Sequence, residues 1–223
     1  KNISFNNFNS KNFSNYFSGI VAFENRHNSE SLKFFESSKI LLTEHDSFLK
    51  RYVTTLVLEN KISKAINVVK NNLSGSSVDF FDAYLLLIID SFKKNKFDEV
   101  EIYLEKASIF LKDEKFNAAI IESLKQYNFV FKEKKIIDNK KNFGTLSLIA
   151  ETFQRCYLDD VKTENYFLNI INKNDADYSR YVYFYLTYLI DNKKFDKVNS
   201  VSKNINYINS TLLLSQAKSW IEK

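Results

Sequence analysis

Proline is absent from these 223 residues, as is methionine, and glycine occurs only three times, at Gly19, Gly75 and Gly144. So little glycine excludes Gly-rich phosphate loops, collagen and most turn-dense β architectures, each of which needs glycine at several defined places. One cysteine, Cys156, and two histidines, His27 and His45, are too few for a structural zinc site or an intrachain disulfide. Arginine is scarce as well. Only Arg26, Arg51, Arg155 and Arg180 stand among the 32 basic residues, and the rest are lysines. The formal net charge of +5 is therefore spread along the chain as lysine, which reads as a solvated surface. Readers of nucleic acid favour the planar fork of arginine, so no nucleic-acid partner is expected.

No apolar run approaches the roughly 18–20 residues that a membrane-spanning helix needs, the longest clean one being Ala83 to Ile89. No membrane insertion is expected. The first residues, Lys1 to Ser10, are polar and Asn-rich and do not form a signal peptide. With no methionine at position 1, the chain is expected to be a processed protein or a piece of a longer one. Its compartment is left open by the sequence, with the bacterial cytoplasm one option and, had a signal peptide preceded Lys1, the periplasm another.

What is present is apolar and helical. Hydrophobic residues make up 44% and aromatics 16%, enough to exclude a disordered chain. Apolar residues recur at helical spacing almost throughout, and alternation of the strand type is nearly missing. Helices are expected at 13–25, 29–42, 46–59, 62–73, 79–94, 97–111, 115–131, 144–157, 160–173, 177–191, 195–204 and 207–222. Some carry broad apolar stripes, as Phe80 to Phe92 does, and must be covered on more than one side. Others carry a narrow one, such as Val100, Tyr103, Leu104 and Ala107. Turns are short and polar, for example Asn60-Lys61, Lys94-Asn95-Lys96 and Asp191 to Lys194, built from residues that tolerate capping or left-handed conformations.

Laying the segments after these turns over one another exposes a repeat. Asn60-Lys61-Ile62-Ser63-Lys64-Ala65-Ile66 matches Asn95-Lys96-Phe97-Asp98-Glu99-Val100-Glu101 and Lys193-Lys194-Phe195-Asp196-Lys197-Val198-Asn199, with a weaker copy from Arg26 to Leu32. Ser31, Ala65 and Val100 step by 34 and 35 residues, and Phe35, Val69 and Leu104 keep the same steps. A small side chain lets two helices cross tightly, and the large one fills the gap to the next pair.

These residues, with Gly19, Ala22 and Phe23 in the first helix, resemble the tetratricopeptide repeat (TPR) family, most of all its long bacterial members. The family's inter-repeat proline is missing from every copy, and register is poor between 112 and 176. The resemblance implies an all-α fold: a right-handed superhelical solenoid of about six antiparallel helix hairpins over 13–223. A polar segment at 1–12 would precede it, and an irregular stretch near 112–143 would interrupt it where Lys132 to Asn142 forms a charged run. The family further implies a non-catalytic scaffold that binds a peptide or partner segment in a concave groove. Tyr16, Ile20 and Phe23 of the first hairpin would line that groove, followed by Lys50, Thr54 and Val57 of the second and Asp82, Leu85, Ile89 and Phe92 of the third. The alternative is a helical, non-catalytic region of a larger enzyme or envelope-assembly protein.

Chemistry-bearing groups point away from catalysis. His27 and His45 lack companions at metal-ligand spacing. Cys156 has no histidine base tied to it and reads as a buried small hydrophobe. Asp159-Asp160 and Asp175 with Asp177 precede expected helices, where carboxylates accept backbone N–H bonds. Ser74 to Ser77 reads as a flexible turn. No enzyme activity, metal or cofactor is expected.

Overall fold

The computed structural model describes residues 10–42, 46–73, 80–111, 115–138, 141–173 and 179–204, and among them every regular element is a helix. Contacts divide the chain into two compact units, Lys1–Glu114 and Lys115–Lys223, where the sequence reading has one continuous array.

Unit 1 holds α1 (Ser10–Glu24), α2 (Asn28–Ser37), α3 (Asp46–Leu58), α4 (Ile62–Asn72), α5 (Phe81–Lys93) and α6 (Phe97–Ala107). The expected helices at 29–42 and 97–111 each end in a tighter 3-10 turn, Lys39–Leu42 and Ser108–Leu111. Each helix packs chiefly on its neighbours in sequence. The broad stripe of α5 buries Ala83, Tyr84, Leu87 and Ile88 and takes in Asp90 and Ser91. The narrow stripe of α6 buries Val100, Leu104 and Ala107. α5 is thus enclosed on more than one side, and α6 keeps one wet face.

Unit 2 holds α7 (Lys115–Glu133), α8 (Thr145–Tyr157), α9 (Thr163–Ile171), α10 (Ser179–Asp191) and α11 (Phe195–Asn204). Much of the 112–143 stretch is the 19-residue α7, and the irregular parts among the described residues are 134–138 and 141–144. The core of this unit gathers Phe167, Val182, Tyr185, Leu186, Tyr188, Leu189 and Val198. Phe167 stacks on Tyr185 with ring centroids 5.3 Å apart. The helix expected at 207–222 lies outside the described residues.

One turn recurs in both units. Arg26, Asn60, Asn95, Asp159 and Lys193 each follow a first helix with φ between 51° and 61°. At each, the left-handed residue donates its N–H to the carbonyl three back, and the next residue donates to the carbonyl five back. The pairs are Arg26 to Phe23 with His27 to Ala22, Asn60 to Val57 with Lys61 to Leu56, Asn95 to Phe92 with Lys96 to Ser91, Asp159 to Cys156 with Asp160 to Arg155, and Lys193 to Ile190 with Lys194 to Leu189. This is the Schellman closure, which satisfies carbonyls that a helix end otherwise leaves orphaned. Glycine usually takes the left-handed position, and here none of the five is glycine.

After four of these turns the helix restarts at once and brings a small or β-branched side chain into the crossing: Ser31, Ala65, Val100 and Val198, all buried. After Asp159 the spacing is one residue shorter, and Thr163 takes the same place, 35 before Val198 and fully buried. The shift hides this copy from a search at fixed register.

Candidate functional site

The face expected to form a groove combines one stripe of α1 with one of α3. Tyr16 brings the two helices together. Its ring lies 5.3 Å from that of Phe48, and its hydroxyl oxygen accepts a 3.1 Å hydrogen bond from Arg51 Nη1. Phe35 of α2 closes the third side, 6.1 Å from Tyr16 and 5.6 Å from Phe48. Tyr16 is consequently 1% exposed. It is a core residue and presents no ring to a ligand, because neighbouring hairpins meet at this point. The other residues of the stripes sit nearer solvent. Ile20, Phe23 and Thr54 are half-buried, and Lys50 and Val57 are exposed. On α5, Asp82 and Ile89 are exposed, and Leu85 and Phe92 are half-buried.

The opposite side of α1 carries a feature the sequence reading did not single out. A channel of about 580 Å³ runs along Ser14, Ser18, Ala22 and Asn25, walled by Phe17 and Val21 and by Phe34 of α2. Phe17 and Val21 are 60% and 61% exposed. Its far end holds His27 and Glu30, whose Nδ1 and Oε2 are 3.8 Å apart. The signal was in the sequence, since Phe17 and Val21 are one turn apart beside the small Ser14 and Ser18.

Titratable groups serve the joints between helices. Glu36 of α2 pairs with Lys64 of α4, and the hydrogen bond from Lys64 holds its carboxyl below the usual range. Asp90 of α5 is bonded by Lys70 of α4 at 3.0 Å and by Lys94 at 2.8 Å. Burial opposes its charge, but the bonds from Lys94 and Lys70 outweigh this and keep the Asp90 carboxyl low. In unit 2, Glu164 is lowered by hydrogen bonds from Lys194, in the turn before α11, and from Lys197 of α11. Arg155 bonds Glu151 at 2.6 Å and Asp160 at 2.8 Å, and its guanidinium lies 4.5 Å from the centre of the Tyr166 ring.

The groups weighed for chemistry fall into the same pattern. Asp160 Oδ1 accepts the backbone N–H of Lys162 at 2.7 Å, shaping the turn into α9. Cys156 packs against the Phe167–Tyr185 core. Burial pushes its thiol up, and the charges of Asp159 and Asp191 push the same way, so it stays protonated. Among the described residues no three His, Cys, Asp or Glu side chains cluster as metal ligands, and no helix is long and apolar enough to cross a membrane. His45, Asp175, Asp177 and Ser74 to Ser77 lie outside the described residues. Scans against family models, curated proteins and solved structures each return no match.

Proposed function

We propose that this chain is a protein-interaction scaffold of tetratricopeptide type, and that the α1–α3 face takes an extended segment of a partner protein. The observation that carries this reading is the pairing of α1 with α3 through Tyr16, Phe48 and Arg51. Next to that buried joint run Ile20 and Phe23 on one helix and Thr54 and Val57 on the other, with Lys50 exposed at the edge. Such a strip is apolar enough to anchor a side chain and is cationic at its rim. It suits a segment that mixes acidic and apolar residues, bound by burial and steered by charge. The turn recurrence at 34–35 residues supports the architecture, since each turn resets the next helix to the same angle.

A photo-reactive amino acid in place of Val57, with the protein expressed in its own cells, tests the site. A discrete cross-linked partner is expected, and Lys50→Glu should remove it. The same adduct from Ile102, an exposed position on α6, or an adduct indifferent to Lys50→Glu, sinks the reading.

A further inference from the structure

Counting back from the left-handed residue of each turn places three equivalent positions on every first helix. They are Ser14, Ser18 and Val21 on α1; Phe48, Tyr52 and Thr55 on α3; and Ala83, Leu87 and Asp90 on α5. Unit 2 supplies Ser147, Glu151 and Gln154 on α8, and Tyr181, Tyr185 and Tyr188 on α10. On α3, α5, α8 and α10 all of these are buried except Tyr181, which is half-buried. In three of those helices the cover includes the preceding second helix. Phe35 of α2 lies on Phe48, Lys70 of α4 bonds Asp90, and Phe167 of α9 stacks on Tyr185. The stripe is therefore the packing surface between hairpins. On α1 it stands open: Ser14 and Val21 are exposed and Ser18 is half-buried.

We infer that this open stripe pairs with the same stripe of a second copy of the chain. Two copies of α1 pack antiparallel about a two-fold axis near Ser18. Phe17 and Val21 of each enter the channel above Ser14 and Ser18 of the other. A two-fold interface must be complementary to itself, which requires knob and hole on one patch. Here both are present, one turn apart on a single helix. At the equivalent positions α3 carries the buried Phe48 and Tyr52 where α1 has Ser14 and Ser18, so the occupant of the α1 surface must bring bulk, and Phe17 and Val21 supply it. Charge also permits the pairing. The channel is lined by no Lys or Arg, and its one carboxylate, Glu30, already faces His27. A surface of one sign brought onto itself would repel. This surface does not overlap the α1–α3 strip, and the inference stands whether or not that strip binds a partner.

One helix pair buries less than the ~800 Å² per partner of a standard interface, so a concentration-dependent dimer is expected. Sedimentation equilibrium of the full chain should show a weight-average mass rising from 26.2 kDa towards twice that value. Val21→Glu should hold the mass at that of the monomer, and Ile102→Glu should not. Both substitutions fall at exposed positions, and circular dichroism melting curves check that each variant folds. In a Cys156→Ser background, Ser18→Cys should form an intermolecular disulfide under mild oxidation, and Lys106→Cys should not. A mass of 26.2 kDa at every concentration up to about 1 mM overturns the inference. A dimer that survives Val21→Glu, or that cross-links equally through Lys106→Cys, places the contact elsewhere and overturns it too.

Discussion

Ser31 Oγ donates a 2.9 Å hydrogen bond to the carbonyl oxygen of Gly19, across the crossing of α2 with α1. The bond closes a site with no spare room. A Cβ built on Gly19 would lie 2.8 Å from Cε1 of the fully buried Phe35. Phe35 is in turn held by Tyr16 and Phe48 and cannot step aside. Gly19→Ala gains about 1 kcal/mol of helix propensity but meets an overpacking cost of about 1–3 kcal/mol. A net loss of about 1 kcal/mol is expected, visible as a lower urea midpoint with an unchanged slope. A raised midpoint would mean that the crossing is looser than these distances say.

Ala65 occupies the corresponding crossing of the second hairpin and is fully buried. Ala65→Asp places a carboxylate there without a partner, and a loss of several kcal/mol is expected. Asn67→Asp, two residues on at an exposed position, should cost less than about 0.5 kcal/mol. Coinciding urea midpoints for Ala65→Asp and the parent would contradict the assigned register.

The turns give a prediction of opposite sign. Lys193 and Arg26 hold φ of 57° and 61°, which side chains with a Cβ adopt at a cost. Glycine adopts this conformation freely, and the backbone bonds that close the turn do not involve the side chain. Lys193→Gly and Arg26→Gly should each raise stability by about 0.5–1 kcal/mol, after allowance for the larger entropy of the unfolded chain. Thermal melts of the two variants and the parent decide this.

Glu164 sets a pH dependence. Its folded carboxyl is held low by Lys194 and Lys197, so the unfolded chain binds the proton more readily. The contribution is complete above the unfolded value, near 4.3, and is lost as pH falls through the lowered folded value. The melting temperature should hold on the neutral side and drop below about pH 4.5. The two lysines are partly exposed, so Glu164→Gln should cost about 1 kcal/mol at pH 7 and flatten the acid limb. An acid limb equally steep in Glu164→Gln would assign the dependence to other carboxylates.

The turn at Asn95 and the small residue at Ala65 could be read in the sequence because both are local. A left-handed turn and the side chain five positions on keep a fixed spacing whatever lies around them. Thr163 is not legible in the same way because its turn is one residue shorter, which leaves it four positions after the left-handed residue although it stands 35 before Val198. Tyr16 was misplaced for a different reason. It shares a helical stripe with Ile20 and Phe23, yet Phe48 and Phe35 approach it from two other helices, and no local pattern carries that information. The channel beside Phe17 and Val21 is equally non-local, because its emptiness depends on which helices cover the equivalent positions elsewhere.

Because each helix leans chiefly on its neighbours in sequence, few of the principal contacts close long loops. Such a chain has an unusual response to tension. Drawn out from Ser10, unit 1 should yield one helix pair at a time, each release freeing about 34 residues, or roughly 110–120 Å of extended chain. In single-molecule extension this would appear as a sawtooth of near-equal steps, each Schellman turn lying inside a released pair and the molecule giving way between one pair and the next.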